Sequence, residues 1–260
     1  MSRFTRWITW QRVPAARMRI DRPQREAMLA LGFAAFYVLA AAGTALLMQR
    51  FRAPMWGAES FTQDWWYSGL FKIGLLLIVP LAAFRAAGYR LRDLLPEWTL
   101  TLRSALAIAL SFLLGFCLNL GHLDGIFAAA AKFPPGEYSA RIAAGFFIVL
   151  FTAGFPEEFF FRGILQTRLE RVWNRTSAIL LTAALFTAWH LPTRFVHAHG
   201  VEGQAGDFSS VLLGTGLPVF LVGLFFGKMW DRYRSLLPLI AAHWAIDTLP
   251  AISSFLGIPR

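Results

Sequence analysis

The chain carries one cysteine, Cys117, and only 15 acidic residues among 260. A lone thiol excludes an intrachain disulfide, and its place in an apolar stretch reads as packing. Charged residues make up 15% of the chain against 57% hydrophobic, with 25 Phe and 10 Trp. A soluble domain would need polar cover that is missing here. The period-two alternation of a membrane β-barrel is absent, and so are internal repeats and low-complexity linkers. What is present is a series of apolar runs near the ~20 residues that carry a helix across a bilayer.

These runs fall at roughly 27–49, 69–87, 103–121, 141–170, 177–191, 208–228 and 235–257. Backbone groups in lipid must be satisfied within their own segment, so each run reads as a helix. The predicted fold class is all-α, a polytopic integral membrane helical bundle of about seven transmembrane helices. A short or re-entrant helix after Leu249-Pro250 would make eight. The unit divides into a basic N-terminal segment, 1–26, and a membrane-embedded domain, 27–260. Pro156 in the long fourth run predicts a kink just before Glu157, and the fifth run is short, ending at Leu191-Pro192.

The net charge of +10 comes from 25 basic residues, and their placement points to a membrane and not to nucleic acid. Seven arginines lie in the first 26 residues: Arg3, Arg6, Arg12, Arg17, Arg19, Arg22 and Arg25. Further clusters follow the second run (Arg85, Arg90, Arg92, Arg103), the fourth (Arg168, Arg171, Arg175) and the sixth (Lys228, Arg232, Arg234). The intervening loops are poorer, so the alternation places the N-terminus in the cytoplasm. The first run is longer than a signal-peptide core and reads as a retained span. Trp7, Trp10 and Trp65-Trp66-Tyr67 fit interfacial anchors.

Against this apolar background Glu157 and Glu158 are costly, on the order of 3 kcal/mol each at mid-bilayer, and such residues mark functional sites by default. Arg162 lies four residues after Glu158, the spacing of a helical ion pair. Glu157 points about 100° away around the helix and has no local cation, which makes it the candidate general base. Other deep polar residues are few: His190, four after Phe186, and His243, four before Asp247. If the fourth and fifth runs form a hairpin about Trp173-Asn174, Glu157 and His190 are level, some 16 residues or ~24 Å from the turn. Phe186 reads as packing, Lys72 as snorkelling to the outer interface, and the loop histidines His122, His197 and His199 as solvated, with a weak metal site at the last two as the alternative.

Glu157-Glu158-x-x-x-Arg162, Phe186-x-x-x-His190 and His243-x-x-x-Asp247, in this order on separate runs, resemble the motifs of the CPBP family of intramembrane endopeptidases. That family includes the type II CAAX prenyl proteases and bacterial Abi-type proteins linked to bacteriocin processing or immunity. The resemblance spans a catalytic core of about 141–250. It implies that Glu157 activates the attacking water and that His190 helps bind that water or a metal. It implies further that His243 and Asp247 stabilise the oxyanion or complete a metal shell, while Glu158 and Arg162 hold the arrangement. Asp247 stands where the family often has Asn, exchanging an amide donor for an acceptor. The expected substrate is a membrane-associated peptide or protein at the lipid bilayer, with no nucleic acid involved. The compact form suggests a bacterial inner (plasma) membrane.

Zinc is the candidate cofactor, since Glu157, His190, His243 and Asp247 are acceptable ligands by type. The His-Glu-x-x-His spacing is absent, however, as are Gly-x-Ser-Gly and Gly-x-Gly-Asp. A glutamate-activated water is favoured, with a metal as the alternative. A buried Glu/His/Asp cluster also suits a proton-coupled transporter, though the paired halves common in transporters are not seen. A non-catalytic immunity or adaptor protein is the third reading.

Overall fold

The computed structural model describes residues 19–51, 71–94, 102–197 and 206–258, and among them every regular element is helical. Apart from a single turn at Leu91–Leu94, in chain order these are α1 (Pro23–Phe51), α2 (Ile73–Ala86), α3 (Leu102–Cys117), α4 (Leu120–Lys132), α5 (Pro135–Val172), α6 (Arg175–His197), α7 (Phe208–Tyr233) and α8 (Leu236–Phe255). The seven expected runs are helical over most of their described residues, the third broken by a turn at 118–119. Among the described residues, α1, α5, α6, α7 and α8, five of the seven expected spans, are long and apolar enough to cross a membrane. The α3–α4 pair, bent by 57°, adds a sixth if it is one broken span. Helix α2 is shorter. Helix α8 runs through Pro250 to Phe255, so among the described residues no separate helix starts after that proline. Trp7, Trp10, Trp65, Trp66, Tyr67, His199 and the arginines before Arg19 lie outside the described residues, as does the side chain of His197.

Helix α8 is the centre of the bundle, packed against α3 on one side and α5 on another, while α6 packs between α1 and α7. Small residues permit these approaches, the usual device where lipid supplies no hydrophobic drive between helices. Along α1 the buried residues Ala27, Ala30, Ala34, Tyr37, Ala41 and Ala45 form one stripe at spacings of three and four. At Gly115 an added Cβ would land on the Ala242 carbonyl, and at Gly145 it would lie 2.7 Å from Ile252 Cα. Outward faces are leucine-rich, as at Leu106, Leu110, Leu113 and Leu114 of α3.

Helix α5 runs for 38 residues, about 57 Å at 1.5 Å per residue. Instead of the sharp break expected at Pro156, it widens into π-helix over Leu150–Gly154 and again over Phe159–Gln166, with one α turn, Phe155–Glu158, between. Proline lacks the N–H that an α ladder requires, and π turns absorb such disruptions, often at functional sites. Helix α6 begins after the turn at Trp173-Asn174, where Asn174 Oδ1 accepts the Ser177 N–H at 2.9 Å as an N-terminal cap. It does not end at Leu191-Pro192 as the sequence suggested; it continues through Pro192 to His197.

At the end of the bundle near this turn, one carboxylate ties three elements. Glu26 Oε1 accepts from the Asp21 and Arg22 backbone N–H groups at 2.9 Å and from the Tyr89 hydroxyl at 2.5 Å. Its Oε2 lies 3.2 Å from Arg168 Nε on α5. The Arg168 guanidinium also stacks over Phe84.

Candidate active site

The single α turn between the two π segments of α5 carries Glu157 and Glu158, both fully buried. Being adjacent, their side chains leave the helix in different directions and meet different partners. Glu158 Oε1 accepts from Arg162 Nη1 at 3.1 Å, the pair expected from the sequence. The same oxygen accepts from His243 Nδ1 on α8 at 2.7 Å, which the sequence did not indicate. Arg162 is also fully buried; it reaches the Gly223 carbonyl of α7 and stacks over Phe186 and Phe226.

Glu157 faces the other residues of the set. Its Oε2 lies 3.7 Å from His190 Nε2 on α6 and 3.7 Å from His243 Nε2 on α8. Its Oε1 lies 2.6 Å from Lys72 Nζ at the start of α2. Lys72 therefore does not snorkel outward; it is the cation that the sequence could not find for Glu157. Its ammonium also sits over the Trp189 ring, 5.3 Å from the centroid.

Both imidazoles are oriented from behind. The Phe186 carbonyl is 2.7 Å from His190 Nδ1 and can only accept, so Nδ1 carries a proton, and in the neutral ring Nε2 turns its lone pair toward Glu157. The Phe186 ring packs against His190 and His243 at centroid distances of 4.7 and 6.0 Å, so packing, as expected for Phe186, includes positioning. His243 Nδ1 is held by Glu158, and its Nε2 faces Asp247 Oδ2 at 3.5 Å as well as Glu157. Of Phe220, Phe225 and Phe226 on the sixth run, Phe226 is the one in the site, buried and 5.8 Å from the His243 ring. His122 is not merely solvated: its Nδ1 lies 3.0 Å from Ser253 Oγ, away from this cluster.

Exposure is graded across the set. The Glu157 side chain is 0% exposed, His243 7%, Lys72 16%, His190 17% and Asp247 40%. The site opens on the Asp247 side. The hairpin count is met as well, since Glu157 and His190 come together on either side of the Trp173-Asn174 turn.

Zinc needs at least three such donors about 2.0–2.2 Å from a single point. Among the described residues no group of three or more His, Cys, Asp or Glu side chains is disposed to hold a metal ion. The Lys72 ammonium also occupies one oxygen of Glu157. The donor types suit zinc, but their arrangement here does not fit one.

What the arrangement can do is set one carboxylate oxygen 3.7 Å from each of two imidazole nitrogens, with Phe186 and Trp189 packed on His190 and Phe226 on His243. Residues 139–249, which hold every member of the set except Lys72, match the family model described as type II CAAX prenyl endopeptidase Rce1-like. No curated protein and no solved structure matches the chain at comparable stringency. The protein is an integral membrane helical bundle whose segment 139–249 is similar to the type II CAAX prenyl endopeptidases, in line with the CPBP resemblance of its motifs.

Proposed function

We propose that this protein hydrolyses a peptide bond in a membrane-associated peptide or protein, using a water activated by Glu157. The observation that carries the reading is the convergence of Glu157 Oε2 with His190 Nε2 and His243 Nε2, each 3.7 Å away. That gap is too long for a direct hydrogen bond and suits one bridging water.

In this scheme Glu157 Oε2 takes a proton from the water as its oxygen attacks the scissile carbonyl carbon. His190 Nε2, an acceptor by virtue of the Phe186 carbonyl, orients the second hydrogen of that water. The carbonyl oxygen becomes an oxyanion, stabilised by His243, which Glu158 holds in place from behind. On collapse of the tetrahedral intermediate the carbon–nitrogen bond breaks, and the proton held by Glu157 passes to the leaving amine. Asp247 Oδ2 faces the same imidazole nitrogen and completes its orientation. No step passes through a metal.

The test compares peptides released from membranes bearing the wild-type chain and Glu157→Gln. The variant is expected to lose its characteristic fragments, about 10²–10⁴-fold, as for removal of a general base, while inserting normally. Identical peptide profiles would sink the endopeptidase reading, and solute uptake lost in the same variant would favour a transporter. Metal analysis of the purified protein and of His190→Ala forms a second arm. Stoichiometric zinc lost in His190→Ala would replace the scheme with a metal-bound water.

A further inference from the structure

We propose that Lys72 is a positioning residue of this site: its ammonium pins Glu157 Oε1 so that Oε2 faces both imidazoles. The inference rests on the glutamate-activated water reading and deepens it.

Lys72 is the first residue before the π segment Ile73–Ile78 of α2, a helix that lies outside the family-matched segment. From there Nζ reaches 2.6 Å from Glu157 Oε1 while the Glu157 side chain is 0% exposed. A carboxylate has two equivalent oxygens and rotates readily about its last torsion. In this site the two are not equivalent, because Oε1 meets an ammonium and Oε2 meets two nitrogens at 3.7 Å. The ion pair selects one rotamer, and that rotamer points the remaining oxygen at the proposed water. Backing for the lysine is aromatic: Nζ lies over Trp189, which stacks on Tyr37 at 4.3 Å, and Tyr37 stacks on Phe71 beside Lys72. Trp189 precedes His190, so the same α6 turn presents the aromatic support and the imidazole.

Charge balance points the same way. Glu157 and Glu158 bring two fully buried carboxylates together, with the part-exposed Asp247 beside them, and Arg162 is paired with only one of the buried two. Lys72 supplies the second fixed cation, and buried carboxylates persist when paired.

Peptide release from membranes, scored on the fragments that Glu157→Gln abolishes, reads the effect. Lys72→Met is expected to reduce release roughly 100-fold, the scale of a misplaced catalytic group, and Lys72→Arg less. The decisive variant is Lys72→Cys in a Cys117→Ser background, so that the introduced thiol is the one available for alkylation. Aminoethylation of that thiol restores an ammonium of lysine length and is expected to recover at least a tenth of wild-type release. Carbamidomethylation, similar in size and neutral, is expected to recover nothing. Equal recovery with both reagents, or wild-type release from Lys72→Met, would overturn the proposal. Thermal unfolding of purified Lys72→Met, Glu157→Gln and the double variant supplies a readout independent of turnover. A double variant no less stable than either single one is expected, and strictly additive losses would overturn the pairing. If wild-type membranes release no Glu157-dependent fragments, the hydrolytic reading itself fails and takes this inference with it, an outcome distinct from fragments that persist without Lys72.

Discussion

Glu158 and Glu157 are neighbours in sequence with different obligations. Glu158 Oε1 is shared between Arg162 and His243, so removing Arg162 leaves a buried carboxylate with an imidazole as its remaining partner. Breaking a buried pair from one side costs about 3–5 kcal/mol, whereas replacing both partners with apolar groups can be nearly neutral. Arg162→Met should therefore unfold at a markedly lower temperature than a Glu158→Leu/Arg162→Met double variant, as read by thermal melts in detergent. The Glu158–Arg162 pair was legible in the sequence because it closes within one turn of helix. The Glu157–His190 meeting was legible because a hairpin fixes depth by counting. Lys72 was not, since it approaches from a helix 85 residues earlier and its run seemed to start only three residues before it. The cost argument that singled out the glutamates applies equally to a lysine in an apolar run, and that was the available signal.

Among the elements, α5 and α8 carry most of the site, and they approach closest at Gly145, which has no side chain. A Cβ there would come 2.7 Å from Ile252 Cα, a backbone atom that cannot rotate aside. Gly145→Val should destabilise the protein by roughly 1–3 kcal/mol through overpacking, while Gly32→Val on α1, with nothing within 4 Å, should leave it near wild type. Paired thermal melts check this, and equal melting temperatures would contradict the packing account. Element boundaries were the less legible part. A proline reads as a helix end in water, but Pro192 and Pro250 both lie inside helices here, because within a bilayer the chain has no better use for its remaining backbone groups than to continue. The second run is a span by hydropathy, while its described helix, Ile73–Ala86, is shorter than the five that qualify as crossings.

For the molecule as a whole, the Glu26 cluster fastens the N-terminal helix to α5 and to the loop after α2. Burial, with the hydrogen bond to Glu26 second, raises the Tyr89 phenol above its usual value near 10. A raised folded value means that the neutral phenol stabilises the fold fully below pH 10, the unfolded value. That contribution is lost as pH climbs through the folded value above it. Wild-type protein should accordingly lose stability more steeply above pH 10 than Tyr89→Phe, with the two curves parallel below it; melts from pH 8 to 11 decide. Parallel curves throughout would show that Tyr89 adds nothing. The basic clusters near this end had marked a topology in the sequence, yet charge counting could not foresee that Arg168 turns inward to Glu26 instead of facing water.

The gradient of exposure from Glu157 at 0% to Asp247 at 40% has a kinetic corollary. Among the described members of the set Asp247 is the most exposed, which makes its side the widest doorway for traffic in both directions. Under the proposed hydrolysis, both fragments leave past Asp247 by the route the intact chain used to enter. Departing fragments and incoming chain then queue for the same passage, so fragments accumulating in the membrane slow turnover as competitors.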